Sequence, residues 1–135
     1  MKKRNLLAAA AALMLGGCTP PPMSEMRAKL EDWMSRLGAG DAQALLASGL
    51  KLYEAGDYAE AAASLHAALA QGLPARSRAA AHKHLAFIYC AARLEPACAA
   101  EFRKALVADP AMDLDAAEAG HPTWGPAFRQ AKAER

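Results

Sequence analysis

Apolar residues recur at helical spacing along nearly the whole chain. Met26, Leu30, Trp33, Met34 and Leu37 mark one face of a helix predicted from about Glu25 to Leu37. Ser24 is its N-cap, and Gly38-Ala39-Gly40 is its expected end. A second helix is predicted from Asp41 to about Ala55. The Gly56-Asp57-Tyr58 turn follows, and Asp57 with Glu60 three residues on forms a capping-box-like start for a third helix, to about Ala70. Residues 71–77 read as a linker. From Ala79 to Pro110 the pattern is that of two helices folded back on each other. The first carries Leu85, Ala86, Phe87, Ile88 and Tyr89, and the second carries Ala99, Phe102, Ala105 and Leu106. Beyond them Asp115 or a neighbour starts a short helical turn, Gly120-His121-Pro122 breaks it, and Thr123 caps a last helix with Trp124, Ala127, Phe128 and Ala131.

Composition supports an all-α fold. Hydrophobic residues make up 54 % of the 135 positions but aromatics only 6 %, so alanine supplies much of the apolar surface. Val107 is the only valine and Ile88 the only isoleucine. Alanine has the highest helix propensity and a small volume, whereas sheets favour β-branched and aromatic residues. The length suits a single domain.

The first residues carry an address. Lys2, Lys3 and Arg4 precede an apolar run from Leu6 to Leu15 and then small residues, the pattern of a secretory signal peptide too short to span a bilayer permanently. Leu15-Gly16-Gly17-Cys18 resembles the bacterial lipobox. That resemblance implies that Cys18 becomes the acylated N-terminus, with an outer-membrane destination because Thr19, not an aspartate, follows it. The other reading is an ordinary secreted protein in which Cys18 falls near the cleavage site by chance. Residues 19–24, with three prolines in a row, read as an extended tether. The expected organisation is a signal peptide over 1–17, a lipidated Cys18 and tether over 18–24, and a helical domain over 25–135. Without the three basic residues of the leader, Lys and Arg fall from 16 to 13 against 14 Asp and Glu. That balance gives no basis for nucleic-acid binding.

The order Leu45, Gly49, Leu52, Gly56-Asp57-Tyr58, Ala61, Leu65, Ala68-Leu69 resembles a tetratricopeptide repeat, a 34-residue helix-turn-helix unit. Leu85, Ala86, Tyr89, Cys98, Phe102, Ala105-Leu106 and Pro110 fit it a second time, 37 residues further on. Arg93-Leu94-Glu95 replaces Gly-Asp-Tyr at the second turn. The resemblance implies an all-α domain of two tetratricopeptide-like hairpins with flanking N-terminal and C-terminal capping helices. The hairpin together with the tail, notably Glu118-Ala119-Gly120-His121-Pro122, Trp124-Gly125-Pro126 and Phe128-Arg129, resembles the tetratricopeptide lipoproteins associated with bacterial type VI secretion. This implies a non-enzymatic accessory scaffold or assembly factor that binds secretion-system or envelope proteins. It would sit lipid-anchored at the outer membrane, facing the periplasm. The alternative is a general periplasmic adaptor in outer-membrane protein assembly or cell-wall maintenance.

Candidate chemistry is sparse. Cys90 and Cys98 flank a helix turn in a chain expected to enter an oxidising compartment, so a disulfide is expected; two small packed thiols are the alternative. His82 and His84, at i and i+2, point to opposite sides of a helix and do not make a metal site. His121 is expected to make a local hydrogen bond, and His66 to lie on the surface. No nucleophile–base pair or phosphate loop is present in the sequence, and no cofactor is expected. By resemblance to the repeat, Leu46, Leu50 and Tyr53 with Lys83 and Phe87 would line a concave partner-binding face. His121 and Trp124 are the candidates from the tail. In the competing reading the N-terminal helix, through Trp33 and Met34, closes that face.

Overall fold

The computed structural model describes residues 23–135; the side chains of Met23, Met26, Leu30 and residues 33–39 lie outside that description. The signal peptide, Cys18 and most of the tether therefore fall outside the described residues, as do the side chains of Trp33 and Met34. Six helices are described: α1 (Met23–Ala55), α2 (Tyr58–Gln71), α3 (Ala75–Ala91), α4 (Glu95–Ala108), α5 (Ala116–Ala119) and α6 (Trp124–Ala133). No strand occurs among the described residues. The all-α expectation holds. The second half of α1 packs on α2, α3 packs on α4, α2 and α3 join the two hairpins, and α6 covers α4.

One boundary differs from expectation. Gly38-Ala39-Gly40 does not end a helix, and α1 runs unbroken for 33 residues. A helical glycine costs about 1 kcal/mol relative to alanine. That weakens a helix without stopping it unless the backbone turns to positive φ, which among the described glycines only Gly56 and Gly72 do. The expected N-terminal helix and the first helix of the first hairpin are one element. The linker is also shorter than expected, because α3 already starts at Ala75, with Pro74 at its N-cap.

The two hairpins turn in the same way. Gly56, at φ 85°, ends α1, with its N–H bonded to the Tyr53 carbonyl at 3.0 Å and the Asp57 N–H to the Leu52 carbonyl at 2.9 Å. Arg93, 37 residues on and at φ 59°, ends α3 with its N–H on the Cys90 carbonyl at 3.0 Å and the Leu94 N–H on the Tyr89 carbonyl at 2.9 Å. Both are Schellman ends, in which one left-handed residue returns two amides to the last carbonyls. The mismatch between Gly-Asp-Tyr and Arg-Leu-Glu thus leaves the backbone unchanged. Asp57 does not act as expected: its side chain makes no capping bond to α2. The capping box lies instead at α5, where Asp115 accepts from the Glu118 N–H at 2.8 Å and Glu118 accepts from the Asp115 N–H at 3.0 Å.

The core forms two clusters. Ala42, Leu46, Ala61, Leu65, Ala68, Leu73, Ala81, Leu85 and Ile88 fill the space between α1, α2 and α3. Ala86, Phe87, Cys90, Cys98, Phe102, Leu106, Phe128 and Ala131 fill that between α3, α4 and α6. Leu65 and its repeat equivalent Phe102 are both fully buried. Each such side chain contributes about 1.5–3 kcal/mol. Cys90 and Cys98 meet at disulfide distance in the second cluster, with Cα atoms 5.1 Å apart. A bridge closing so short a loop contributes about 2.5 kcal/mol in the chain-entropy model.

Candidate protein-interaction site

The face expected to bind a partner is built by α1, α3 and the tail. Tyr53, in the last turn of α1, stands edge-on to His84 at 5.2 Å between ring centres and 6.3 Å from Phe87. His84 also meets Phe87 edge-on at 5.6 Å. Burial pushes the His84 imidazole below its ordinary value, outweighing the hydrogen bond from Nδ1 to the Ala80 carbonyl, so the neutral ring is the form packed here. Burial likewise raises the Tyr53 hydroxyl.

The tail crosses this face. After α4, α5 presents Glu118 to Lys83 of α3, with Nζ and Oε1 2.8 Å apart and both side chains largely buried. Lys83 also lies over the Phe87 ring, 5.6 Å from its centre. Trp124, at the start of α6, stacks on Phe87 with ring centres 4.2 Å apart, and His121 stacks on Trp124 at 3.9 Å. His121 Nδ1 accepts from the Thr123 and Trp124 amides at 3.2 and 3.3 Å. It is therefore the His121 ring that caps α6, and Thr123, expected to do so, makes no side-chain cap bond. An acceptor Nδ1 places the ring proton on Nε2. Gly125 lets the Ala119 carbonyl approach α6 where any Cβ would collide with it. That contact lets α5 and α6 fold closely against each other within the tail.

The expected surface residues divide in two. Leu46 is 7 % exposed and Phe87 2 %, so both are core residues, the first in the cluster between α1, α2 and α3 and the second beneath Trp124. The expectation that they line an open face gives way for a physical reason: each is apolar, and α2 or the tail removes it from water. Leu50 is half-buried against the first cluster. Tyr53, Lys83, His121 and Trp124 remain half-buried at the surface. Together they form an aromatic patch with a charged edge, enlarged by Tyr58, whose ring centre is 5.5 Å from that of Tyr53. Glu118, His84 and Tyr58 stand out in the sequence for other reasons, and nothing local places them on this face. The capping box would have marked Glu118, but its pairing with Lys83 spans 35 residues and has no local signature.

His82 and His84 do point apart, the first to Glu101 and the second to Tyr53 and Phe87. His66 is exposed and bonds the Tyr89 hydroxyl at 2.7 Å. Among the described residues no group of three or more His, Cys, Asp or Glu is placed to hold a metal ion. No described helix is long and apolar enough to cross a membrane. Comparison with protein-family models, with characterised proteins and with solved structures finds no match.

Proposed function

We propose that this chain is an envelope-anchored helical-repeat lipoprotein that acts by protein–protein interaction, as an accessory scaffold or assembly factor of a type VI secretion system. One observation carries the reading. The stretch most particular to the secretion-associated lipoproteins it resembles, Glu118 to Phe128, is also the stretch that docks on α3 of the second hairpin through Glu118–Lys83 and Trp124–Phe87. It makes a composite patch with Tyr53 that a bare pair of hairpins would lack. The lipobox-like Leu15-Gly16-Gly17-Cys18 supports an acylated Cys18 and a place on the outer membrane, domain toward the periplasm.

Affinity isolation of the full-length protein from detergent-solubilised envelopes tests this. Secretion-system components should co-purify, and deletion should lower secretion. If none co-purifies and secretion is intact without the protein, the reading fails.

A further inference from the structure

The two hairpins superimpose in sequence at an offset of 37 residues, and at one seam they differ in kind. In the first, the Ser64 hydroxyl donates to the Leu45 carbonyl at 2.9 Å. The equivalent positions in the second hold Glu101 and His82, whose Oε2 and Nδ1 are 2.6 Å apart. Glu101 is 4 % exposed, the one buried charged residue among those described, and its other oxygen meets Lys104 Nζ at 2.6 Å. Taking a carboxylate out of water costs several kcal/mol, which its partners only repay. The first hairpin closes the same seam with a serine, so packing does not require the charge.

What Glu101 does is fix His82 and Lys104 at the wall of an open cavity of about 530 Å³ between α3 and α4. An ionised carboxylate only accepts, so His82 Nδ1 carries the shared proton, and Nε2 is without a hydrogen-bond partner among the described residues. Arg78, Arg103 and the apolar Ala100 and Val107 complete the wall. At the equivalent positions the first hairpin has Asp41, His66, Ala63 and Ala70, and an alanine, Ala67, in place of Lys104. The cations are thus peculiar to the second hairpin. Arg78 has no ion pair among the described residues. Among the described residues Arg103 is held only by Glu134, in an exposed pair of a kind worth about 0–1 kcal/mol and readily exchanged. The start of α3 adds to the field: its first turn has no acidic residue and no side-chain cap, and it carries Arg76 and Arg78 against the usual dipole preference. Val107, beside them, is 80 % exposed.

We propose that this cavity docks an acidic peptide segment of a protein partner, with a side-chain carboxylate held between Arg78 and Arg103 and a neighbouring apolar side chain laid over Val107. Guanidinium groups suit carboxylates because two parallel N–H donors match two oxygens. The cavity is too large for a lone anion, and its exposed valine calls for an apolar companion to the charge. The inference rests on the reading of the chain as an interaction module but not on the identity of the secretion system.

The test is fluorescence anisotropy on the full mature chain at low salt. The probe is a labelled hexapeptide alternating glutamate and leucine, and the control replaces each glutamate by glutamine. Saturable binding is expected, weakened about tenfold or more for the glutamine peptide and by a similar factor in Arg78→Gln and in Arg78→Glu/Arg103→Glu. Val107→Ser should weaken it severalfold, and Arg93→Glu, at the far end of the hairpin, should leave it unchanged. Unfolding midpoints close to wild type show that the variants fold, and Arg78→Gln serves if the double reversal does not. Equal binding of both peptides, no saturable binding up to about millimolar peptide, or full binding in Arg78→Gln would overturn the proposal. So would Arg78-dependent binding of inorganic phosphate or of phosphatidylglycerol vesicles in place of the peptide. Failure of secretion components to co-purify would remove the function proposed above and leave this binding untouched.

Discussion

At Glu101 the protein keeps a charge where its own first repeat keeps a hydroxyl. Burial works to raise this carboxyl, but the hydrogen bonds from His82 and Lys104 outweigh it and hold the group below its ordinary value. A lowered folded value means that the unfolded chain binds the proton more readily. The stabilisation is therefore present above about pH 4.5 and is lost as pH falls through the lower folded value. Glu101→Gln should cost about 1.5–3 kcal/mol at neutral pH, the range for hydrogen bonds to a charged group. The deficit should shrink in acid. His84, held neutral by burial, also weakens the fold as pH falls below its ordinary 6.5, but it is common to both proteins and cancels in the comparison. Urea unfolding of wild type and variant at neutral and acid pH measures the difference; a deficit independent of pH would contradict this account. Arg93 gives a second case. A non-glycine residue at φ 59° is strained by about 1 kcal/mol, and the repeat equivalent is Gly56. Arg93→Gly should stabilise by about 0.5–1 kcal/mol, read as a higher unfolding midpoint.

At the scale of elements, α1 shows how far a sequence pattern reaches. The apolar stripe from Met26 to Leu37 and that from Leu45 to Leu52 announce helix correctly, yet glycines at 38 and 40 suggest a break that the backbone does not make. Gly40 has open space around its Cα. In a continuous helix Gly40→Ala should therefore stabilise by about 0.5–1 kcal/mol. A neutral or destabilising result would mean that the helix is interrupted there. The hairpins were legible because their signals are local: apolar spacing, a turn residue and a proline. The tail was legible as residues but not as contacts. Glu118 reaches Lys83 across 35 positions and Trp124 reaches Phe87 across 37, and neither separation follows from a helical period. The same holds for His82 and Glu101, 19 residues apart on facing helices. Trp124→Ala should cost about 2–4 kcal/mol through the lost stack and the cavity left beside Phe87. Glu118→Gln should cost about 1–3 kcal/mol by leaving Lys83 half-buried and unpaired. In both, limited proteolysis should first cut residues 109–123. Cleavage elsewhere, with the tail protected, would mean that these contacts do not hold it.

For the molecule as a whole, two hairpins give too little surface for the long groove of larger repeat arrays. The chain compensates by folding its tail onto the second hairpin, where Phe87 of α3 also meets Tyr53 of α1, so the patch around Tyr53, Lys83, His121 and Trp124 is made by three separate segments. A photo-crosslinking residue at Tyr53, installed in the full-length chain in living cells, tests most directly whether that patch is the working surface. The account predicts a crosslink from position 53 to an envelope component of the secretion system, absent from the same residue at exposed position 93. No crosslink from position 53, or the same products from both positions, would contradict it.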